Sequence, residues 1–414
     1  MSRAKRSLPL FEGMGVELEY MIVDRETLSV LPVADELLRA AAGEYAEEIE
    51  QGSLSWSNEL ALHVVEVKTN GPVPTLSGLD GTFAGHVTRI NELLRPLGGR
   101  LMPTGMHPWM DPVLETRNWP HQKRAIYESY HRIFDCRRHG FANLQSVHLN
   151  LSFHGDEEFA RLHAAVRFLL PILPAIAASS PVVDGRLTGL LDNRLEVYRT
   201  NQQRIPSIAG RVIPEAVYTR RQYREKILRR LYRDIASLDS GRVLRHEWLN
   251  SRGAIPRFDR DTIELRILDM QECPRADIAI ASAIVAVLKG LVHGRFTSVA
   301  CLMDWGIEPL EEIFLAAVSE GERAEIRDAR YLEVFGLARR HCTTGELWGH
   351  LAETFLTGDT EVDRTAAEVL NVVLTRGTLA RRILHRVGDA PSRETIRGAY
   401  RELCDCLAEG RMFI

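Results

Sequence analysis

Apolar and polar residues alternate in four separate segments of the sequence, and this alternation predicts β-strands. Successive side chains of a strand point to opposite faces, so every second residue lies on the same face. Apolar residues fill at least one set of alternate positions, as expected of a sheet that packs on a core. The four segments are residues 14–23, 61–68, 145–153 and 262–268. A shorter strand is predicted at 100–105.

Helical periodicity, with apolar residues three or four positions apart, is typical of the segments between these strands and of the end of the chain. The predicted helices are residues 76–97, 120–134, 157–178, 223–238 and 276–292, followed by an almost wholly helical pattern from residue 308. Pro171 and Pro174 should kink the third of these helices. Residues 179–214 are rich in arginine and polar residues and predict a long irregular loop, which is commonly a functional element.

This order of elements predicts an α+β fold, with a curved antiparallel sheet, helices outside it and a helical C-terminal third. We find no internal repeat and no Gly/Ser-rich linker, so we expect a single domain over residues 1–414. The sheet and its helices would occupy about 10–300, and the helical layer about 305–414.

Composition narrows the possible partners. The chain has 414 residues, of which 45% are hydrophobic and 26% charged, as in soluble globular proteins. A net charge of −4 gives no reason to expect nucleic acid or a membrane surface as the main partner. Six cysteines are scattered without a C-x-x-C pair, a usage that fits a reducing cytoplasm. The sequence leaves open whether the chain forms a homo-oligomer.

Polar side chains share a face in each of the four strands. They are Glu17 with Glu19, Glu66 with Lys68, His148 with Asn150, and Glu264 with Arg266. The solvated face of an antiparallel sheet also alternates in this way. The residue types argue against that alternative, because four acids and one imidazole are each flanked by Val, Leu or Ile.

Three of these acids need compensation on physical grounds. Glu17 and Glu19 would lie about 7 Å apart on one strand face and repel each other unless a cation lies between them. Glu66 shares its face with Leu62 and Val64, so its carboxylate needs a partner or a raised pKa. Mg²⁺ prefers oxygen ligands and is commonly held by a few carboxylates together with substrate phosphates.

Arginines would complete such a phosphate site, because a guanidinium is a fixed fork for phosphate or carboxylate. Arg266 shares a face with Glu264. The long loop adds further arginines, for which solvated loop charge is the alternative. These are Arg194, Arg199, Arg204 and Arg211. The sequence contains no G-x-x-x-x-G-K-[ST], no G-x-S-x-G and no H-E-x-x-H, so P-loop, serine hydrolase and zincin chemistry are unsupported.

Five short segments, in this order, resemble the motifs of glutamate–cysteine ligase family 2, the carboxylate–amine ligases. They are Gly15-Val16-Glu17-Leu18-Glu19-Tyr20, Val65-Glu66-Val67-Lys68-Thr69, Gly105-Met106-His107-Pro108, Val147-His148-Leu149-Asn150 and Ile263-Glu264-Leu265-Arg266-Ile267-Leu268-Asp269. The match extends over about residues 14–275, and the helical remainder agrees only in general character. The loop 191–213 is not a close match to the arginine-containing loop of well-known members. Substrate-binding residues are therefore expected to differ here, and the resemblance does not specify the amine acceptor.

The resemblance implies a glutamine-synthetase-like funnel that binds ATP and two or three Mg²⁺ ions. It implies that ATP phosphorylates the γ-carboxylate of L-glutamate and that an amine, typically L-cysteine, then displaces phosphate, as in glutathione biosynthesis. By position, the metal ligands would be Glu17, Glu19, Glu66, His148 and Glu264. Catalytic roles would fall to Arg266, Glu66 and His148, and ATP contacts to Arg194, Arg199, Arg204 and Asn150. Two alternatives stay open: phosphoryl transfer without amide formation, and a non-catalytic relative that binds nucleotide.

Overall fold

The centre of the molecule is an antiparallel sheet, which positions the polar residues described above. The computed structural model describes residues 7–122 and 124–414. Seven strands follow the order β2-β3-β4-β1-β6-β10-β9, and β5 pairs with the second half of β1. The strands of this sheet are β1 (Met14–Asp24), β2 (Glu48–Gln51), β3 (Leu54–Asn58), β4 (Val64–Thr69), β5 (Gly99–Met102), β6 (Ser146–Ser152), β9 (Ala254–Arg257) and β10 (Thr262–Asp269). Two small hairpins are β7 (Val182–Val183) with β8 (Arg186–Leu187) and β11 (Glu325–Ile326) with β12 (Cys342–Thr343).

Helices surround the sheet and form most of the C-terminal third. Those before β10 are α1 (Ala34–Ala42), α2 (Leu79–Leu94), α3 (Pro112–Glu115), α4 (Arg124–Phe134), α5 (His139–Ala142), α6 (Gly155–Leu169), α7 (Pro174–Ala177), α8 (Asn193–Thr200), α9 (Arg220–Tyr223) and α10 (Arg229–Asp234). Those after it are α11 (Pro274–Val292), α12 (Val299–Met303), α13 (Ile307–Glu320), α14 (Ala329–Val334), α15 (Thr344–Phe355), α16 (Glu361–Arg376), α17 (Leu379–Val387) and α18 (Arg393–Glu409).

The central strand β1 has two different faces, as its alternation predicts. Val16, Leu18 and Tyr20 are buried in the main hydrophobic core. Helix α11, which packs against α2, α6 and α16, contributes much of the opposing surface of that core. Burying this face fixes the register of β1, because a slip by one residue would turn its acids into the core.

The opposite face of β1 changes character along the strand. Glu17 and Glu19 lie in its first half, whereas Met21 and Val23 in its second half belong to a separate apolar cluster. Helices α17 and α18 supply most of that cluster, and α18 contacts β5. The C-terminal helices therefore close one end of this face and leave the acidic end to be lined by side chains of the neighbouring strands.

Several predicted elements have different bounds in the structure. The helix predicted at 157–178 ends at Leu169 and gives way to a 3₁₀ turn and α7, because Pro171 and Pro174 lack the amide hydrogen that an α-helix needs. The strand predicted from residue 61 begins at Val64. The predicted irregular loop 179–214 contains β7, β8 and α8, whose first turn is capped by the Asp192 carboxylate accepting from Leu195 N at 2.8 Å.

Candidate metal and nucleotide site

The two acids of β1 lie between polar residues of both neighbouring strands. Glu17 is opposite Lys68 on β4 and opposite His148 on β6, and Glu19 is opposite Glu66 on β4. Directly opposed residues share a face and lie close together. The predicted polar face is therefore one continuous surface across three strands, which we call the acidic face.

His148 links the two acids of β1. Its Nδ1 lies 3.0 Å from Glu17 Oε2, and its Nε2 lies 3.0 Å from Ser146 Oγ and 3.9 Å from Glu19 Oε1. Burial lowers the pKa of His148, but the bond to Glu17 and the charge of Glu19 outweigh it and raise the pKa to about 9. Without a metal ion, a protonated imidazole therefore holds these two carboxylates together.

Glu19 is satisfied mainly by β6. Its Oε2 accepts hydrogen bonds from Ser146 N at 2.6 Å and from Ser146 Oγ at 2.8 Å. Burial raises the pKa of Glu17, but the hydrogen bond and the charge of His148, together with a hydrogen bond from Glu66, outweigh it and lower the pKa. Both acids of β1 thus have hydrogen-bond partners on one neighbouring strand, β6.

Glu66 has the partner and the raised pKa that its apolar neighbours predicted. Its Oε2 accepts from Ser57 Oγ at 2.6 Å and from Lys68 Nζ at 2.8 Å. Burial and the nearby charge of Glu17 nevertheless raise the pKa of Glu66. This carboxylate is held next to a like charge, which favours binding of an additional cation.

Glu59 is an acid of this site that the sequence prediction missed. It follows β3 directly, and burial together with the charges of Glu19 and Glu66 raises its pKa well above the usual range. Serines alternate before it at Ser55 and Ser57, and Ser57 is opposite Glu66. That alternation was the available signal, because it predicts a strand whose polar face continues to Glu59.

The fourth strand, β10, adds an acid flanked by arginines. Glu264 is opposite Asn150, whose Nδ2 donates to Glu17 Oε1 at 3.0 Å. Glu264 Oε1 lies 3.1 Å from Arg266 Nε, and its Oε2 lies 3.3 Å from Arg257 Nη1. The Arg266 side chain is 25% exposed.

A β-bulge lies between Leu265 and Leu268 of β10. Leu265 is opposite Leu149 and Leu268 is opposite Val147, so β10 has one more residue than β6 between these two pairs. Strict alternation would put Leu268 on the acidic face. The bulge instead places Asp269 there, opposite Ser146.

Arg194 bridges the two ends of this bulge. Its Nη2 donates to Arg266 O at 2.6 Å, and its Nη1 lies 3.3 Å from Asp269 Oδ1. Asp269 also explains the glycine of the Gly-x-His-Pro turn, because a Cβ on Gly105 would lie 2.4 Å from the Asp269 Cγ. Arg194 is 1% exposed and would have to leave these partners to contact a nucleotide.

The other loop arginines have partners outside the acidic face. Arg199 forms an ion pair with Glu196 at 2.6 Å, and Arg204 donates to Ile133 O at 2.7 Å. Arg211 contacts Glu308 and Glu311 at 3.2 and 3.1 Å. Nucleotide contacts by Arg199 and Arg204 stay predictions that require these side chains to turn.

The acidic face suits divalent cations in two positions. One oxygen or nitrogen atom from each of Glu17, Glu66 and His148 lies within 4.8 Å of the others, and the same holds for Glu19, Glu59 and Glu66. Carboxylates with one imidazole are a donor set for Mg²⁺ or Mn²⁺. The raised pKa values of Glu59 and Glu66 support this fit, since each acid is destabilised as a carboxylate until a cation arrives.

Solved structures define the class of fold. Glutamate–cysteine ligase from Francisella tularensis, in complex with AMP, superposes with a TM-score of 0.61 at 11% identity, covering 97% of this chain and 90% of that chain. A bifunctional glutathione synthetase from Pasteurella multocida superposes with a TM-score of 0.58 at 13% identity, covering 97% of this chain and 52% of that chain. At these identities the likeness concerns the fold, and it confirms the predicted α+β fold class.

The chain belongs to glutamate–cysteine ligase family 2, whose sequence profile matches residues 13–405. An uncharacterized protein of Archaeoglobus fulgidus is 31% identical over 402 residues, which cover 97% of this chain and 100% of that protein. The resemblance inferred from five short motifs is therefore confirmed and extends through the C-terminal helices. Within the described residues, no helix is both long and apolar enough to cross a membrane.

Proposed function

We propose that this protein is an ATP- and Mg²⁺-dependent carboxylate–amine ligase. In the proposed reaction, a carboxylate oxygen of L-glutamate attacks the γ-phosphorus of ATP, which forms a γ-glutamyl phosphate and releases ADP. An amine such as L-cysteine then attacks the acyl carbon, so that phosphate leaves, the amine loses a proton and an amide forms. The observation that carries this proposal is the pair of three-residue ligand groups on the acidic face, which also includes the partly exposed Arg266.

The metal ions would be held by Glu17, Glu19, Glu66, His148 and Glu264, with Glu59 as an additional ligand. When bound, Mg²⁺ would supply positive charge against the nucleotide phosphates. The two ligand groups share Glu66, which places both cation positions within one site. Glu264 already has two arginine neighbours, so it is the acid of the face with the least need for a metal.

Arg266 is the proposed contact to the transferred phosphoryl group. Strand alternation presents it next to Glu264, and Arg194 donates a hydrogen bond to its backbone carbonyl. A guanidinium can donate two parallel hydrogen bonds to phosphoryl oxygens, whose charge grows during transfer. Asn150 lies next to Glu17 and is a proposed nucleotide contact, together with the loop arginines Arg199 and Arg204 if they turn inward.

His148 and Glu66 are proposed to act in the reaction through their charges, as ligands of the metal ions. His148 carries a proton in the metal-free form, between Glu17 and Glu19. That proton would leave when a cation binds, because a metal ligand must be deprotonated. The AMP in the Francisella tularensis ligase supports nucleotide use by this fold, and we extend it to this chain as part of the proposal.

The decisive experiment incubates the purified protein with ATP, Mg²⁺, L-glutamate and a panel of amines and amino acids, and identifies products by mass. Amine-dependent ADP release with a γ-glutamyl amide is the expected result. ADP release without amine, with a stable phosphorylated product, would indicate a phosphotransferase instead. Absence of ATP binding in the presence of Mg²⁺ would contradict both enzymatic functions.

A further inference from the structure

Lys68 is a cation built into the acidic face that neither the metal groups nor the phosphate contact uses. It lies on β4, two residues after Glu66 and opposite Glu17. Its Nζ lies 2.8 Å from Glu66 Oε2, 3.0 Å from Ser57 Oγ and 3.1 Å from Glu48 Oε2. Its side chain is 24% exposed, so the ammonium lies at the border between the site and solvent.

The acid that Lys68 holds is the one that both ligand groups share. Glu66 belongs to the group with Glu17 and His148 and also to the group with Glu19 and Glu59. A carboxylate that bridges two cations uses one oxygen for each. Glu66 Oε2 already accepts two hydrogen bonds, from Lys68 and Ser57, which leaves Oε1 as the oxygen available to a cation.

The remaining acids of the face are compensated in other ways. Glu17 bonds to His148, Glu19 accepts from Ser146, and Glu264 lies beside two arginines. Among the described residues, Glu59 has no ion-pair partner. Lys68 is thus the fixed cation closest to the second group, and its charge acts on the ligand that links the two groups.

A simpler interpretation is that Lys68 only ties the edge strand β2 to the sheet through Glu48. That pair is half-exposed on the Glu48 side, and ion pairs of this kind contribute little to stability. It does not explain why the shorter contact is to the buried carboxylate of Glu66. Geometry therefore favours a role within the acidic face.

We propose that Lys68 takes the place of one divalent cation at Glu66, so that the free protein binds a single divalent cation at the two groups instead of two. Mg²⁺ binds carboxylate oxygen at about 2.1 Å, so a cation on Glu66 Oε2 would meet the ammonium at about 4 Å. Two positive charges at that distance repel each other strongly in a partly buried site. This inference deepens the proposed function and rests on its metal sites.

The test counts Mn²⁺ ions bound to the free protein, by electron paramagnetic resonance and by calorimetry, without nucleotide or turnover. We expect wild type to bind one ion at the acidic face. Lys68→Met should bind a second ion, or bind it at least about tenfold more tightly, because a unit charge next to the second position has been removed. Lys68→Arg should keep the wild-type count.

Lys226→Met is the matched control, since it removes the same charge from an exposed helix position and should leave Mn²⁺ binding unchanged. Equal counts and affinities in wild type and Lys68→Met would overturn the proposed role of Lys68 while leaving the metal site in place. Failure of every variant to bind Mn²⁺ would overturn the metal site itself, and the role of Lys68 with it. Thermal unfolding of each variant verifies that all of them are folded.

Discussion

Asp269 and Glu66 are buried carboxylates on the same face of the same sheet, yet their surroundings are opposite in kind. Asp269 accepts from Ser179 N at 2.9 Å and from Ser180 Oγ at 2.8 Å, and it lies 3.3 Å from Arg194. Both of its oxygens are used, and its cation is as buried as it is. Burial raises the pKa of Asp269, and Arg194 with the serine hydrogen bonds lowers it, so that charge and hydrogen bonds offset part of the loss of water, as in a structural ion pair.

Glu66, by contrast, lies among other acids. It has one ammonium neighbour, and it shares a site with Glu17 and Glu59. The charge of Glu17 raises the pKa of Glu66, and the charge of Glu66 raises the pKa of Glu59. Holding like charges together lowers stability unless a ligand uses them. This difference distinguishes a carboxylate that stabilises the fold from carboxylates that we propose bind a cation.

The largest expected effect is a loss of activity when an acid of the acidic face is replaced. Glu66→Gln should abolish measurable ATP turnover, a loss of at least about 10³-fold, because it removes the negative charge shared by both cation positions. Stability should be unchanged or higher. The pKa of Glu66 is raised in the folded protein, so its ionised form at neutral pH costs free energy that the neutral amide does not.

Turnover assays and urea unfolding of the same preparations check this prediction. Glu353→Gln, at an exposed position of α15, is the control and should change neither quantity. Full activity of Glu66→Gln would remove this acid from the proposed reaction. A marked loss of stability would show that Glu66 resembles Asp269 after all.

The next largest effect is expected when the ion pair of Arg194 with Asp269 is removed. Arg194→Met should lower the free energy of unfolding by about 3–5 kcal/mol, because Asp269 is left buried with an unpaired charge. Urea unfolding measures it. Arg199→Met is the matched control from the same helix, and its exposed pair with Glu196 predicts a change below about 0.5 kcal/mol. Equal changes in the two variants would contradict the assignment of Arg194 to the fold.

Sequence patterns were sufficient for the elements with long, regular alternation. Strands β1, β6 and β10 were predicted because each buries one face over seven or more residues. The hairpin of β2 and β3 was not predicted, since β2 spans only four residues and β3 five, and both lack a long apolar alternation. Glu59 was lost with that hairpin, because its position in the site depends on the pairing of Ser57 with Glu66.

The loop arginines show that sequence periodicity does not identify the partner of a charged side chain. Arg194 and Arg199 are five residues apart on one helix, yet the first is buried against Asp269 and the second is paired with Glu196 near solvent. Their partners come from distant segments or from the local helix turn, and composition does not distinguish the two cases. The bulge in β10 is similar, because one extra residue reverses the faces of all residues after it.

A smaller effect sharpens the role assigned to Arg266. Arg266→Lys should cost about 2–4 kcal/mol of transition-state stabilisation, or about 30- to 1,000-fold in turnover, if it contacts the transferred phosphoryl group. Arg257→Lys is the control, because Arg257 also lies beside Glu264 but belongs to strand β9. Equal losses in both variants would indicate that the arginines act only through the charge of Glu264.

The smallest expected effect is a pH dependence of the metal-free protein. The pKa of His148 is about 9 in the folded protein, raised by Glu17 and Glu19 against the effect of burial, and is near 6.5 when unfolded. The stabilisation from its proton is therefore complete below about pH 6.5 and is lost as the pH rises through 9. The slope is at most about 1.4 kcal/mol per pH unit for one proton.

Urea unfolding in EDTA at pH 7, 8 and 9 measures this slope, and His148→Gln serves as the comparison because it cannot gain or lose the proton. We expect the wild-type slope to be steeper than that of His148→Gln in EDTA, and the two slopes to converge in saturating Mg²⁺. The convergence follows because a bound cation takes the place of the proton between Glu17 and Glu19. Identical slopes in EDTA would mean that His148 is neutral in the folded protein and that its two acids are held apart by hydrogen bonds alone.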